Sequence, residues 1–510
     1  MSKKAKLLVK SSVLRIALFF INAAVVFFLM PFIIHSLGDR MYGLWIFIGS
    51  VLGFYWIFDF GLASAVQRYV SRAIGSEDYN EANKIINTAL FIFSLTGFII
   101  ILFTIAAAFI VPYFVKEIVE IALFRKIIIL LGINFALGFT MRVFSGILTS
   151  HLRFDLRTHV SLFKLLIRTA LVIFFLKRGY GILALTVITL CMDLFSYTVF
   201  FILAKRIAKY LTLSVKLIDK TKITDLLKYS IFTFIIQIAD KLRFDIDNFV
   251  IATFVGLSSV TVYSIAARLI KYFLDFIVSV SGIMIPVFSQ YESKGDYDSI
   301  RTKFVLTTKI IACLAMMIGG TLVIFGMVFI ERWMGPNYLN AYPLLIILVV
   351  PITLDLMQSQ SIQLLYGISK HKFFAISTAI EGVANLVLSI ILVKKMGLMG
   401  VALGTAIPMF IVKLFIQPVY TCKVIKMSVY KYYFELIIPI LLKSVVILML
   451  FRWIILNLIQ PNYLNISILI LCEVFLFLTI QFFISFNKNE RNYFRSIYKK
   501  KSTVNDGDQT

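Results

Sequence analysis

Long apolar segments constrain the fold of this 510-residue chain more than any other feature of its sequence. A bilayer has a hydrocarbon core about 30 Å thick, and a helix needs roughly 20 mostly apolar residues to cross it. About fourteen segments meet this requirement. We therefore expect an all-α integral membrane protein with about 14 transmembrane helices. The approximate spans are 12–36, 42–66, 85–112, 124–147, 160–177, 180–204, 226–255, 260–288, 304–330, 342–366, 373–393, 398–421, 434–456 and 465–486.

The basic character of the chain, a net charge of +25, is explained by where the charges lie. With a cytoplasmic N-terminus and an even number of spans, the inner loops and tails hold about 29 Lys and Arg and the outer loops about 9. The densest clusters run from Ala204 to Lys222 and from Arg491 to Lys501. This bias predicts a multi-pass membrane protein with both termini in the cytoplasm and contact with anionic membrane lipids. No nucleic-acid partner is needed to explain the charge.

The sequence lacks the signatures of an enzyme. Its four cysteines all fall within predicted spans and form no CxxC pair or Cys/His cluster, and no phosphate-loop or dinucleotide fingerprint occurs. The connections between spans are short, at most roughly twenty residues, which leaves no room for a soluble catalytic domain. We therefore expect a transporter without cofactors or bound metal, rather than an enzyme.

The chain repeats itself at an offset of 218 residues. Each unit contains six predicted spans, an even number, so both halves cross the membrane in the same direction. A parallel repeat of this kind places the substrate site between its halves. We predict an N-terminal lobe at 1–218, a C-terminal lobe at 219–430, two further transmembrane helices at 431–486 and a basic cytoplasmic tail at 487–510. The matches are Gly38 with Gly256, Trp45 with Tyr263, Ser71 with Ser289, Asp78-Tyr79 with Asp296-Tyr297, and KRGYGILALTV from Lys177 with KMGLMGVALGT from Lys395.

Ionised side chains inside the predicted spans are the candidates for function. One charge at the bilayer centre costs at least about 2.5 to 3.5 kcal/mol, so these groups cannot all face lipid. Some share a helix face, as Arg268, Lys271 and Asp275 do at i, i+3 and i+7. The candidate substrate-binding residues are Lys164, Arg168, Lys241, Arg268, Lys271 and Lys413, and the candidate ligands for a coupling Na⁺ or H⁺ are Asp59, Asp247, Asp355 and Glu381.

Two interpretations of these charges are open. The charges could pair with one another and only hold helices together, most simply in QIADKLRFDID, where Lys241 and Asp245 stand at i, i+4, as do Arg243 and Asp247. Alternatively, they line a water-filled, net-cationic cavity between the halves, suited to an anionic substrate such as a diphosphate. Arg142 fits either interpretation.

Three stretches resemble the polysaccharide flippases, the O-antigen and exopolysaccharide repeat-unit exporters of the multidrug/oligosaccharidyl-lipid/polysaccharide superfamily. The resemblance extends along the chain to about residue 430. Asp247, Tyr263 and Arg268 fall where that family often has an acid, an aromatic residue and a base. The stretches are LGDRMYGLWIFIGSVLGFYWIFDFGLASAVQRYVSRAIGSEDYNEA from Leu37, DIDNFVIATFVGLSSVTVYSIAARL from Asp245, and LLYGISKHKFFAISTAIEGVANLVLSIILVKKMGLMGVALGTAI from Leu364.

The resemblance implies a fold and a function. The fold is a fourteen-helix bundle in two six-helix lobes. The function is movement of an undecaprenyl-diphosphate-linked oligosaccharide from the inner to the outer leaflet of a bacterial plasma membrane, with a cationic central cavity and coupling to Na⁺ or H⁺. A polysaccharide polymerase and glycosyltransferases would be partners. We expect alternating access, in which basic residues hold the diphosphate while the lipid tail stays in the bilayer.

Three other functions remain as alternatives. A drug/cation antiporter of the same superfamily would share the fold but should prefer an acidic cavity. A flippase for a peptidoglycan precursor would differ only in the head group that it accepts. A membrane polymerase or ligase acting on lipid-linked sugars usually needs a large outer loop, and the outer connections around Val115 to Lys126 and Glu331 to Tyr342 are short.

Overall fold

The computed structural model describes residues 3–59, 62–113, 121–151, 153–223, 246–458 and 463–492. Within these ranges every regular element is a helix, which confirms the all-α prediction. The chain divides into two compact units, Met1–Thr261 and Val262–Thr510. The lobe boundaries that we placed at 218 and 430 stay predictions.

The first unit is built around the packing of α4 on α5 and of α5 on α7, with α1 packed against α6. Apolar residues on facing sides of α6 and α7, including Val172, Leu185 and Ile188, form a buried cluster, and Phe32 and Trp45 pack against it. The described helices are α1 (Lys3–Leu37), α2 (Asp39–Gly53), α3 (Leu62–Gly75), α4 (Tyr79–Ile110), α5 (Ile121–Ser150), α6 (Phe154–Lys177), α7 (Gly181–Ile207) and α8 (Ile246–Phe254), followed by α9 (Leu257–Ser281), which begins in this unit.

The second unit centres on its longest straight helix, α11, which contacts α12, α16 and α17. Its described helices are α10 (Ile285–Ser293), α11 (Tyr297–Met334), α12 (Ala341–Met357), α13 (Ser359–Gly367), α14 (Lys372–Ile411), α15 (Gln417–Val424), α16 (Ile438–Leu458) and α17 (Tyr463–Ser485). Helices α12 and α13 are bent by 42° at Gln358. Two π-helical segments, Val412–Ile416 and Lys431–Ile437, precede α15 and α16.

The protein is a multi-pass membrane protein by the length and composition of its helices. In the described residues ten helices are long and apolar enough to cross a membrane, or eleven if the bent pair of α12 and α13 is one span. The total of about 14 stays a prediction. Most of the predicted span 226–255 lies outside the described residues, and the span 42–66 is divided between α2, a short 3-10 helix (Phe54–Asp59) and α3.

Helix α14 contains two predicted spans, 373–393 and most of 398–421. A straight helix of its 40 residues would be about 60 Å long, twice the thickness of the hydrocarbon core. Gly397 breaks it with φ 56° and ψ −133°, a backbone conformation that glycine adopts readily. After the break, a Cβ on Gly404 would lie 2.3 Å from Ser389 Oγ, so the two arms pack closely against each other.

The sequence repeat recurs in the backbone. Positive φ values occur at three pairs of residues separated by 218 positions: Gly38 and Gly256, Glu77 and Gly295, and Gly179 and Gly397. The repeated Asp78 and Asp296 also have the same role, because each carboxylate accepts a hydrogen bond of 2.9 Å from the backbone N–H three residues later. The helix start after each turn is therefore built in the same way in both units.

Candidate functional site

The first unit contains a cavity of about 480 Å³ between α2, α5, α6 and α7. Apolar walls with a few convergent polar groups are typical of binding pockets for organic ligands. The aromatic residues in its wall are Trp45, Trp56, Phe135, Phe139, Tyr197 and Phe200, and the charged ones are Arg142, Arg157, Lys164 and Asp193.

Asp193 on α7 organises one side of this cavity. Its carboxylate forms an ion pair with the Lys164 ammonium of α6 and accepts a hydrogen bond of 2.6 Å from the Asn134 side-chain amide of α5. Three helices are thus tied together by one intramembrane acid. Lys164, predicted to bind substrate, lies in the cavity wall but already has an acidic partner.

Arg142 on α5 organises the other side. Its guanidinium donates to Asp59 at 2.6 Å and lies over the rings of Trp56, at 4.1 Å, and Phe139, at 4.4 Å. Asp59 is 5% exposed, so the pair is largely shielded from solvent and lipid. A second cavity of about 260 Å³ lies beside this pair and shares Trp56, Arg142 and Arg157 with the larger one.

The two cavities together carry a small positive charge. Their described lining contains the cations of Arg142, Arg157 and Lys164 and the carboxylates of Asp59 and Asp193, which leaves one net positive charge. Ion pairs with Asp59 and Asp193 therefore neutralise two of the three cations in the described lining, those of Arg142 and Lys164. The aromatic rings contribute at least as much of the wall as the charges do.

In the second unit a buried cluster surrounds Lys413, which is 3% exposed. Its ammonium lies 3.6 Å from a Glu381 oxygen and 3.9 Å from an Asp355 oxygen, donates to Gln417 Oε1 at 3.1 Å, and lies 4.5 Å from the centre of the Phe374 ring. Asp355 and Glu381, which the sequence indicated as separate candidates, thus both lie beside the ammonium of Lys413, a third candidate.

The space beside Lys413 has the size of an ion rather than of a sugar. The cavity there is about 20 Å³, enough for roughly one water molecule. Polar side chains continue the cluster, since the Gln417 amide donates to the hydroxyls of Ser377 at 3.1 Å and Thr378 at 3.2 Å. The π-helical segment Val412–Ile416 carries Lys413, and such segments occur frequently at functional sites.

The remaining predicted residues lie elsewhere. Arg168 on α6 and Arg268 on α9 are half-buried and form no ion pair within the described part of the chain, although Arg168 is close enough to Asp193 to interact electrostatically. Lys271 forms an exposed ion pair of 2.6 Å with Asp275, one turn further along α9. Asp247 is buried in α8, at 3% exposure. Lys241 lies outside the described residues.

Sequence reasoning missed several residues of these sites. Asp193 is an acid in the middle of an apolar span, and that fact alone marks it as a candidate. Arg157 lies close to the start of α6, outside the predicted span 160–177. Trp56 and Tyr197 carried no signal, because aromatic residues are common throughout this chain.

The fold is that of transporters of the MOP superfamily. Over 92% of this chain and 98% of the other, it matches the structure "Lipid II flippase MurJ, inward closed conformation" with a TM-score of 0.71 and 18% identity. It also matches the inward-facing conformation of a multidrug resistance MATE family transporter of the MOP superfamily, with a TM-score of 0.66 and 15% identity over 79% of this chain and 94% of that one.

The sequence identifies the family within this fold. Residues 39–343, more than half of the chain, match the family described as "Polysaccharide biosynthesis protein", and the chain belongs to it. A relative in Bacillus subtilis (strain 168), the uncharacterized membrane protein EpsK, is 22% identical over 402 residues, which cover 77% of this chain and 79% of EpsK. The predicted resemblance to this family is confirmed.

Proposed function

We propose that this protein is a flippase that moves a polyprenyl-diphosphate-linked oligosaccharide from the cytoplasmic to the outer leaflet of a bacterial plasma membrane by alternating access. The observation that carries the proposal is the aromatic and weakly cationic cavity of the first unit. Its rings offer flat apolar faces to a sugar, while Arg142, Arg157 and Lys164 offer donors to phosphate. Membership of the polysaccharide biosynthesis family supports it.

The proposal assigns a role to each candidate residue. Lys164, Arg168, Lys241, Arg268 and Lys271 contact the diphosphate or acidic sugars, together with Arg142 and Arg157 of the cavity wall. Lys413, also predicted to bind substrate, is assigned instead to ion coupling together with Asp355 and Glu381, because its buried cavity of about 20 Å³ is too small for a sugar. Asp59 and Asp247 are the further candidates for the coupling Na⁺ or H⁺. A polymerase and glycosyltransferases would use the product and supply the substrate.

A second candidate, a flippase for a peptidoglycan lipid precursor, is supported by the likeness to the lipid II flippase along nearly the whole chain. It would use the same diphosphate chemistry with a different head group. A drug/cation antiporter is disfavoured by the net positive charge of the described cavities, since cations are repelled there.

The test is flipping in liposomes that contain a polyprenyl-diphosphate oligosaccharide labelled on its sugar. A membrane-impermeant enzyme should gain access to inner-leaflet label only when the protein is present. A Na⁺ or H⁺ gradient should change the rate. Lipid II tested in parallel separates the two flippases, and no access above empty liposomes with any head group would contradict both.

A matched pair of variants tests the cavity itself. Arg142→Gln should reduce flipping at least tenfold, because it removes a cation that faces both cavities. Arg178→Gln is the control, since Arg178 also lies over a ring, that of Phe174 at 4.2 Å, but is exposed beyond the end of α6. Equal flipping rates in the two variants would contradict the proposal that substrate binds in this cavity.

A further inference from the structure

Glu473 is a buried acid that the proposed cavities do not use. It lies near the middle of the 23-residue α17, one of the two helices that have no counterpart in the repeat. Its exposure is 0%. Oxygen Oε1 has no hydrogen-bond partner in the described part of the chain, and Oε2 has one contact, with the Thr321 hydroxyl of α11 at 3.1 Å. An ionised carboxylate in this position would be unstable, because burial without a cation strongly penalises the charge.

The charged groups of the packed helices lie away from Glu473. On α11, Lys309 is twelve residues before Thr321, about 18 Å along the helix, and pairs with Glu490 at 2.9 Å. On α16, Lys443 donates to the Ile484 carbonyl at 3.0 Å. Arg332 on α11 and Arg452 on α16 are exposed, whereas Glu473 is fully buried. No cation among the described residues therefore compensates this carboxyl.

The hydrogen bonds of Thr321 bear on the protonation of Glu473. The Thr321 hydroxyl lies 2.8 Å from the Met317 carbonyl and 3.1 Å from Glu473 Oε2. A hydroxyl has one proton, and neither a carbonyl nor an ionised carboxylate can donate, so two acceptors would have to share that proton if Glu473 were ionised. Protonation of Glu473 removes this competition, because the carboxyl can then donate to the Thr321 oxygen while the hydroxyl donates to Met317.

From this geometry we propose that Glu473 holds an exchangeable proton and is a proton-binding site of the transporter, separate from the acids paired with Arg142 and Lys413. The proposal that this proton is coupled to flipping rests on the proposed function. Polar groups continue along the same interface at Gln481, which donates to Ser444 at 2.9 Å. Phe477, which is fully buried, stands between Glu473 and Gln481 on α17. The proton of Glu473 therefore exchanges only when α17 moves against its neighbours.

The first experiment needs no substrate. Infrared spectra of the protein in nanodiscs at neutral pH should show the carbonyl band of a protonated carboxylic acid, absent in Glu473→Gln and retained in Glu490→Gln, whose carboxylate is paired with Lys309. If Glu473→Gln fails to fold, Thr321→Val should shift the band by removing its hydrogen-bond acceptor. An infrared carbonyl band that is unchanged in both Glu473→Gln and Thr321→Val would contradict the proposal that Glu473 binds a proton.

The second experiment tests coupling in the liposome assay. Glu473→Gln should keep flipping in the absence of a gradient and lose at least fivefold of the acceleration produced by a proton gradient. If Glu473→Gln has lost the infrared band but still responds normally to the proton gradient, the proton on Glu473 is not coupled to flipping and has only a structural role. Absence of flipping in the parent protein would contradict the proposed function, while the infrared result would still decide whether Glu473 binds a proton.

Discussion

At the scale of single residues, the candidate sites are defined by pairs of opposite charge rather than by isolated cations. Arg142 with Asp59, Lys164 with Asp193, and Lys413 with two acids all lie in the described membrane helices. A buried pair contributes little net stability, but removal of one partner leaves an uncompensated charge. Variants that remove one or both partners therefore separate a structural role from a functional one.

Asp59→Asn should destabilise the protein by about 3 kcal/mol, the low end for breaking a buried pair, because the Arg142 charge loses its carboxylate. The double variant Asp59→Asn with Arg142→Met should recover most of this stability, since no charge is left unpaired. The double variant should still move the lipid-linked substrate slowly if Arg142 contacts that substrate. Thermal unfolding in detergent and the liposome assay measure the two effects; a double variant that recovers both would make the pair purely structural.

Lys413→Gln should make stability depend on Na⁺. The change leaves Asp355 and Glu381 without the ammonium that lies within 4 Å of both, and a monovalent cation can take its place. At a Na⁺ concentration about 100 times its Kd, binding would add about 2.7 kcal/mol. Thermal shifts in NaCl against choline chloride measure this, with Lys443→Gln as the control. Equal shifts in the two variants would argue against a cation site here.

At the scale of elements, the two helices after the repeat support the site at Lys413. The Tyr432 hydroxyl donates to Gln358 Oε1 at 3.1 Å, and the Gln358 amide donates to the Lys413 carbonyl at 3.3 Å. The Tyr433 hydroxyl donates to the Leu414 carbonyl, inside the same π-helical segment. Side chains of the π-helical segment Lys431–Ile437, just before α16, thus hold the backbone that carries the buried lysine.

Tyr432→Phe should weaken ion coupling more than it weakens the fold. It removes one hydrogen bond, worth about 1 kcal/mol, and leaves the Gln358 oxygen without that donor. We expect a changed dependence of flipping on the Na⁺ or H⁺ gradient with an unfolding temperature close to that of the parent. Tyr430→Phe, at an exposed position two residues before Tyr432, is the control. Loss of stability without a change in gradient dependence would indicate packing alone.

The start of α11 should be sensitive to acid. The Ser299 hydroxyl and, at 2.9 Å, the Ser299 backbone N–H donate to the Asp296 carboxylate and lower the pKa of Asp296 from its ordinary value. Because the pKa is lower in the folded state, the cap acts fully above the pKa of the unfolded chain and is lost as pH falls through the folded pKa. The protection of the amides in the first turn of α11, which is how much more slowly they exchange than those of an unfolded peptide at the same pH, should therefore fall in acid. Asp296→Asn keeps an acceptor without a charge, so the same loss of protection in that variant would contradict this origin.

The elements were more predictable than the pairs within them. Apolar length located the long described helices, and the predicted spans 373–393 and 398–421 already separated the two arms of α14, which the structure breaks at Gly397. Pairs within one helix, such as Lys271 with Asp275, follow from spacing. Arg142 and Asp59 are 83 residues apart, so their contact depends on how α5 packs, which no local pattern specifies. Glu473, like Asp193, is an acid inside a predicted span and could have been selected on that ground, but that no cation among the described residues compensates it is visible only in the structure.

At the scale of the whole molecule, the distribution of charge predicts how the chain is oriented in the membrane. The basic clusters predict that both termini are cytoplasmic. An inside-negative potential helps to expel an anionic substrate by about 2.3 kcal/mol per charge per 100 mV, roughly 50-fold if the charge crosses the full field. This driving force acts on the substrate and is the same for either orientation of the protein, so the orientation decides only which ends of the helices face the cytoplasm.

Labelling of single cysteines tests the orientation. In a chain whose four native cysteines are replaced by alanine, Tyr113→Cys and Val215→Cys place a thiol at sites that are 85% and 81% exposed. Helices α5, α6 and α7 separate them, an odd number, so the sites should lie on opposite membrane faces. We expect an impermeant maleimide to label Tyr113→Cys in intact cells and Val215→Cys only after permeabilisation. The reverse pattern would invert the molecule and contradict the prediction, made from the basic clusters, that both termini are cytoplasmic.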